Sequence, residues 1–288
     1  MANLLSKGMR VRATVRDLED PERVGHLKTM EIAEGGGIEI VEMDLFDPES
    51  VNSAISGCTD LIHTAATVIV RSRDPQRKIV DPSVIGTKNV ISAIERSGTI
   101  ERFVHTSSTA AIRPMEWKDG STLTANSWAN DATLENNPYG LAKVSAERIV
   151  REWHASLESG TRPRLVTIHP CMVFGPPLSP RHLRGSLAIL MAMIRRTVPL
   201  NLPMQINLVD VRDVAEAHVR ALEGGQEEGR YLTVSGDMMM TDIAKALKKS
   251  HPERRWVTWE APYWLALVAS FFHPKIDVSW AKRHLRKR

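Results

Sequence analysis

The sequence predicts an α/β protein: a doubly wound parallel sheet followed by a smaller C-terminal lobe. Three observations lead there. Short apolar runs alternate with helical patterns over the first 170 residues or so, as strands do when helices cover both faces of a sheet. Beyond Pro170 the texture changes, with Pro176, Pro177 and Pro180 breaking the chain. The composition, 42% hydrophobic and 25% charged in 288 residues, is that of a globular protein able to bury a large core.

Val11 to Val15 is short, β-branched and bounded by charge, and reads as a strand. A helical pattern over 20–33 follows, then a strand from Ile38 to Met43 after the Gly35-Gly36-Gly37 turn. A helix over 47–56 leads to a strand at Asp60 to Ala65, and a helix over 76–97 to a strand at Arg102 to Ser107. The helix over 138–157 precedes the strand at Leu165 to His169. In the smaller lobe the pattern gives a Met-rich helix over 183–196, a strand at Ile206 to Val209, a helix over 211–223 and a strand at Arg230 to Val234. These predict a first domain over 1–175 and a lobe over 176–288, mainly for substrate, with elements returning to the sheet.

Composition bounds the function. Cys58 and Cys171 lie far apart without metal spacing, which argues for a reducing, cytoplasmic setting and against a disulfide scaffold or a metal site. The net charge of +4 owes part of its excess to the tail from Lys282 to Arg288, read as a solvated end. No interleaving of basic and aromatic residues supports a nucleic-acid partner. The apolar run from Ala261 to Phe272 is too short to span a bilayer, which takes about 20 residues. It reads as a buried helix or as an interfacial one, with peripheral membrane contact through 256–272 in the second case.

Ligands of such sheets bind beyond the carboxyl ends of the strands, where Arg16, Asp44, Thr64 to Ala66, Ser107-Ser108 and Pro170 stand. Asn137-Pro138-Tyr139-Gly140-Leu141-Ala142-Lys143 carries the chemistry. Tyr139 and Lys143 are four residues apart, hence on one helical face. A phenol beside a fixed ammonium is a proton donor of lowered pKa, as a carbonyl accepting hydride requires.

The order of these segments resembles the extended short-chain dehydrogenase/reductases, the NAD-dependent epimerase/dehydratase type. Within them it is most similar to the group of dihydroflavonol reductases, cinnamoyl-CoA reductases, carbonyl reductases and 3β-hydroxysteroid dehydrogenases. The pieces are Val11 to Asp17, Asp44-Leu45, His63 to Ala66, Val104 to Ser108, Tyr139 to Lys143, His169-Pro170 with Val173 to Pro176, and Val209 to Val214, covering residues 1 to about 235. The resemblance implies a Rossmann-like fold and a catalytic set of Ser108, Tyr139 and Lys143. Ser108 is preferred over Ser107 because the family's serine is the second of the run.

The resemblance further implies a cofactor site. Arg16, where an acidic residue would bind the 2′-hydroxyl of NAD, suits the 2′-phosphate of NADP, with Arg23 assisting. NADP is therefore the expected cofactor and NAD the alternative. Asp44 and Leu45 would flank the adenine. Thr64, Ala65 and Ala66 would let the backbone approach the cofactor, and Pro170, Met172 and Val173 would line the nicotinamide side. Arg113 and Asn207 are candidate substrate contacts, Arg113 standing where flavonoid reductases carry a neutral amide. Helices over 76–97 and 138–157 form the dimer interface of many relatives, which implies a homodimer.

The family's Gly-x-x-Gly-x-x-Gly between first strand and first helix does not occur here, and Met1 to Gly8 reads as the end of that helix. The fold is therefore expected with its first strand missing. The expected function is NADP-dependent interconversion of a ketone or aldehyde with an alcohol. The alternatives are a membrane-associated 3β-hydroxysteroid dehydrogenase-like enzyme, a nucleotide-sugar epimerase, or a non-catalytic chain that pairs with an intact relative.

Overall fold

A computed structural model of the chain describes residues 1–65, 69, 72–116, 121–197, 200–272 and 285, and the side chains of 269–272 lie outside that set. Ala66 and, apart from Leu285, the tail from Lys282 to Arg288 also lie outside it.

The chain opens with a short helix, α1 (Ala2–Leu5), then β1 (Arg10–Val15), α2 (Pro21–Lys28), β2 (Gly37–Glu42), α3 (Pro48–Ile55) and β3 (Asp60–His63). A π-type turn at Gln76–Val80 leads into α4 (Asp81–Ser97) and β4 (Arg102–Thr106). Then come α5 (Pro138–Ser156), β5 (Arg164–Pro170), β6 (Met172–Phe174), α6 (Leu187–Ile194), β7 (Gln205–Asp210) and α7 (Val211–Glu223). The last elements are β8 (Gly229–Thr233), β9 (Gly236–Met239), α8 (Met240–Ser250) and α9 (Tyr263–Phe272).

The helix starts follow local chemistry. Asp20, Asp47 and Asn137 accept backbone N–H groups at the first turns of α2, α3 and α5, each followed by proline, whose missing N–H is no loss there. α2 is shorter than the 20–33 pattern suggests, ending at Lys28 with Thr29 as its cap. The sequence also passes over β9 and α8. β9 takes in Met238 and Met239 of the methionine run at 238–240, which shows neither period, and it exists because it pairs antiparallel with β7.

The main sheet is parallel but divided. β3, β4, β5 and β8 form one four-stranded piece in that order, and β1 with β2 forms another. Among the described residues no strand joins β1 to β3, and the residues before β1 form α1 instead. The parallel sheet is thus divided between β1 and β3. α1 is held to α7 by Lys7–Glu223 at 2.6 Å and by Asn3 Nδ2 donating to Glu216 at 3.3 Å. Leu4 joins Val104, Val166, Ile168, Val219 and Leu222 in one cluster, to which Val11 and Ile62 add from the two pieces. The turn from α1 into β1 needs glycine at position 8. Its φ is +72°, and a Cβ would stand 2.8 Å from the Glu34 carbonyl oxygen.

On the other face α3 and α4 pack against β4 and β5 through Val51, Val90, Ile94, Phe103 and Leu165. The later part of the chain forms a separate three-stranded sheet, β6-β7-β9, with α6 and α8 packed on it. β8 nevertheless returns to the main sheet beside β5. α9 leaves Trp264 and Val268 exposed, as is Trp259 just before it. Among the described residues no helix is long and apolar enough to cross a membrane.

Candidate active site

The carboxyl end of β4 and the start of α5 meet in the region the sequence points to. Asn137 caps α5 by accepting from the Gly140 N–H at 2.9 Å. A Cβ on residue 140 would come within 2.2 Å of the Asn137 amide, so glycine there is what lets this cap fold over the first turn. The cap fixes Tyr139 in the first turn of α5, and Lys143 follows one turn later.

Lys143 is buried and donates from Nζ to the Thr106 carbonyl at 3.2 Å, at the end of β4. Burial pushes its ammonium down to about 8, while the charge of Glu147 pulls it back up. Tyr139 behaves differently from the expectation of a lowered phenol. Burial raises its pKa, and hydrogen bonding with Ser108 opposes the rise. The ammonium expected to lower it is engaged with the Thr106 carbonyl in this state.

The two serines after β4 separate cleanly. Ser107 is buried, and its hydroxyl donates to Glu147 at 2.7 Å. Ser108 accepts from the Ala110 N–H at 3.2 Å, which opens the short turn Thr109–Ala111, and Thr109 donates to the Pro170 carbonyl at 3.4 Å. Ser108, Tyr139 and the end of β5 are thereby brought together.

A cavity of about 560 Å³ opens next to Lys143; Ser108 and Tyr139 do not line it. Arg16, Arg23, Leu45, Thr64, Ala65 and Lys143 line it, joined by Arg181, His182 and Arg184 from the smaller lobe. Arg16 is exposed at the end of β1. Asp20 holds both Arg23 at 3.0 Å and Arg181 at 2.9 Å, so one carboxylate ties two of the rim arginines together. His63 and His105 also line the cavity, with ring centroids 5.7 Å apart. Burial, with Lys143 adding to it, pushes His63 down to about 4, so the ring is neutral near pH 7.

Several expected residues stand elsewhere. Asp44 accepts from the Phe46 N–H at 3.0 Å in a local turn, and it does not line the cavity. Pro170 ends β5, while Met172 and Val173 pair with Leu208 and Val209 in the separate small sheet; none of the three lines the cavity. Asn207 is exposed on β7 opposite Asp237, and Arg113 is partly buried beyond the Thr109–Ala111 turn. Neither touches the cavity, because β7 faces solvent at Asn207 and the turn carries Arg113 away from the end of β4.

Other residues were not singled out by sequence: His105, Arg181, Arg184, and the buried group of Glu147, His169 and Arg230. For Glu147 a signal existed, since Tyr139, Lys143 and Glu147 recur every four residues along one helical face. For the rim arginines none did, since they come from a segment far along the chain.

Comparisons with known proteins give the family. The sequence pattern of the NAD dependent epimerase/dehydratase family matches residues 1–234. The chain is 35% identical over 253 residues to cinnamoyl-CoA reductase 1 of Petunia hybrida, covering 87% of this chain and 72% of that protein. It is 31% identical over 258 residues to cinnamoyl-CoA reductase CAD2 of Medicago truncatula, covering 86% and 76%. Among solved structures it is similar to Gre2 of Candida albicans in complex with NADPH, with a TM-score of 0.73 at 27% identity over 87% of this chain and 78% of that one.

Proposed function

Because the chain belongs to the NAD dependent epimerase/dehydratase family, we propose that it is an NADP-dependent oxidoreductase interconverting an aldehyde or ketone with the corresponding alcohol. One observation carries the reading: Lys143 donates to the end of β4 on the wall of a cavity rimmed by arginines, with Tyr139, one turn earlier on the same helix, hydrogen-bonded to Ser108. The cinnamoyl-CoA reductases and the NADPH-bound Gre2 to which it is similar support both the reaction and the cofactor.

The residues present fit a phosphorylated dinucleotide. The cavity offers Arg16, Arg23, Arg181 and Arg184 to phosphate oxygens, a chemistry for which the planar guanidinium is well suited. Arg16 with Arg23 would hold the 2′-phosphate. Thr64 and Ala65 would lie against the cofactor, and Lys143 would hold the nicotinamide ribose. When bound, the nicotinamide supplies or takes the hydride. Tyr139 gives its phenolic proton to the carbonyl oxygen as the alcohol forms, and takes it back in oxidation. Ser108 donates to the same oxygen, where negative charge develops. Lys143, close to the end of β4, stabilises the tyrosinate left after proton transfer. Residues 1–175 would serve the dinucleotide, joined by Arg181 and Arg184 from the later lobe, and the rest of that lobe would serve mainly the substrate.

Tyr139→Phe tests this. Turnover of NADPH with a panel of aldehydes and ketones should fall by about 10²–10⁴-fold. NADPH binding, read by quenching of the seven tryptophans, should persist. Full turnover by the variant would sink the proposal.

A further inference from the structure

A buried polar group lies one helical turn beyond Lys143 that the reaction as written does not use. Glu147 is fully buried on α5. One of its oxygens accepts from the Ser107 hydroxyl at 2.7 Å and from His169 Nε2 at 2.8 Å. The other accepts from Arg230 Nε at 2.7 Å and from Arg151 Nε at 3.3 Å. Arg230, on β8, is itself almost wholly buried. Its guanidinium stacks on Trp128 with 3.9 Å to the ring centroid, and Nη1 donates to the carbonyls of Ala125 and Ser127, the latter at 2.8 Å. Arg148 lies over the same ring and donates to Asn130 at 2.6 Å.

Burying an ion pair is weak evidence for stability, since desolvation offsets most of the attraction. The connections of this pair point to another role. It joins α5 to the ends of β4, β5 and β8 and to the segment 125–128, which lies between the serine turn and Tyr139. We infer that Glu147 and Arg230 are positioning residues for the reaction. Glu147 keeps Ser107-Ser108 in register with the Tyr139 face and favours the charged form of Lys143. Arg230 fixes the Trp128 segment, which packs on Ala111 of the serine turn and on Leu141 and Val144 of α5 and would there border the substrate. The inference rests on the reductase reading of the site.

The groups facing Lys143 come from several elements: Tyr139 and Glu147 on α5, His63 on β3 and His105 on β4, with His169 and Arg230 reached through Glu147. Both His63 and His105 are pushed down by burial and are neutral near pH 7. Glu147 is thus the anion that favours the ammonium.

Two substitutions test this, Glu147→Gln and Arg230→Lys, each checked for folding by circular dichroism. The wild type should lose kcat as pH rises past about 8, where Lys143 gives up its proton. In Glu147→Gln that limb should move to lower pH, with kcat at pH 8 down about tenfold and NADPH affinity at pH 6 nearly unchanged. Arg230→Lys keeps the charge but loses the stacking and the forked bonds. Its KM for the carbonyl substrate should rise about tenfold while its limb stays in place.

A Glu147→Gln enzyme with the wild-type limb, or one losing kcat, KM and NADPH affinity together at every pH, overturns the inference. If Glu147→Gln does not fold, an unchanged KM in folded Arg230→Lys overturns it instead. The limb is also read in NADPH binding, because Lys143 holds the ribose. A chain that binds NADPH but never turns over would sink the reductase reading alone, and the shift in the pH of binding would still decide for or against Glu147.

Discussion

At the scale of single residues, the site separates groups that look equivalent in sequence. Ser107 and Ser108 are adjacent, yet one hydroxyl is spent on a buried carboxylate and the other stands at the turn beside Tyr139. The rim arginines differ in the same way. Arg23 and Arg181 share Asp20, whereas Arg16 stands exposed at the end of β1 on the cavity wall. Arg16 is therefore the residue whose removal should cost a 2′-phosphate most directly. Arg16→Ala should weaken NADPH binding by about tenfold or more and leave NADH nearly unaffected. Fluorescence titration with both nucleotides measures the ratio, and an unchanged preference would remove Arg16 from the cofactor site.

At the scale of elements, α5 organises the chemistry, and its first turn rests on one cap. Asn137 bonds the Gly140 N–H, and the space above residue 140 is taken by the capping side chain itself. Asn137→Ala should cost about 1 kcal/mol, read as a lower urea midpoint with an unchanged slope. Such a change would also loosen Tyr139, so kcat should fall with it. A stability equal to wild type would show that packing along α5, not the cap, holds the turn. This helix was legible in the sequence because cap, proline and apolar spacing all agree over Asn137 to Trp153. The same agreement marks α3, while α7 shows the Asp210 cap and the apolar spacing without the proline. β9 was not legible, because the methionine run has no period and only pairing with β7 makes it a strand. α8 does carry helical spacing at Met240, Ile243, Ala244 and Leu247, which the sequence reading passed over.

At the scale of the molecule, the sheet divides between β1 and β3, and the space is closed by side chains instead of ladder hydrogen bonds. α1 matters more than its length suggests. Leu5 is fully buried, Leu4 enters the cluster that reaches both pieces, and Lys7 and Asn3 anchor the helix to α7. Leu5→Ala should destabilise the whole fold by roughly 2–5 kcal/mol, the cost of a core cavity, measured by denaturant unfolding. A loss below about 1 kcal/mol would mean that the two pieces of the sheet hold without α1.

What the sequence determined by itself is the alternation of strands and helices, the family, and the helix face carrying Tyr139 and Lys143. Each is set by near neighbours: period, caps and the four-residue repeat of a helix. Only the tertiary structure decided that Ser107 is spent on Glu147, that Arg181 and Arg184 join the cavity rim, and that Glu147 meets His169 and Arg230. Those groups come from segments tens of residues apart in the chain, and burial brings them together. A buried carboxylate must find its partners wherever the packing puts them. No local pattern records that choice, because it is made by the sheet order and by which side chains the closed core leaves without water.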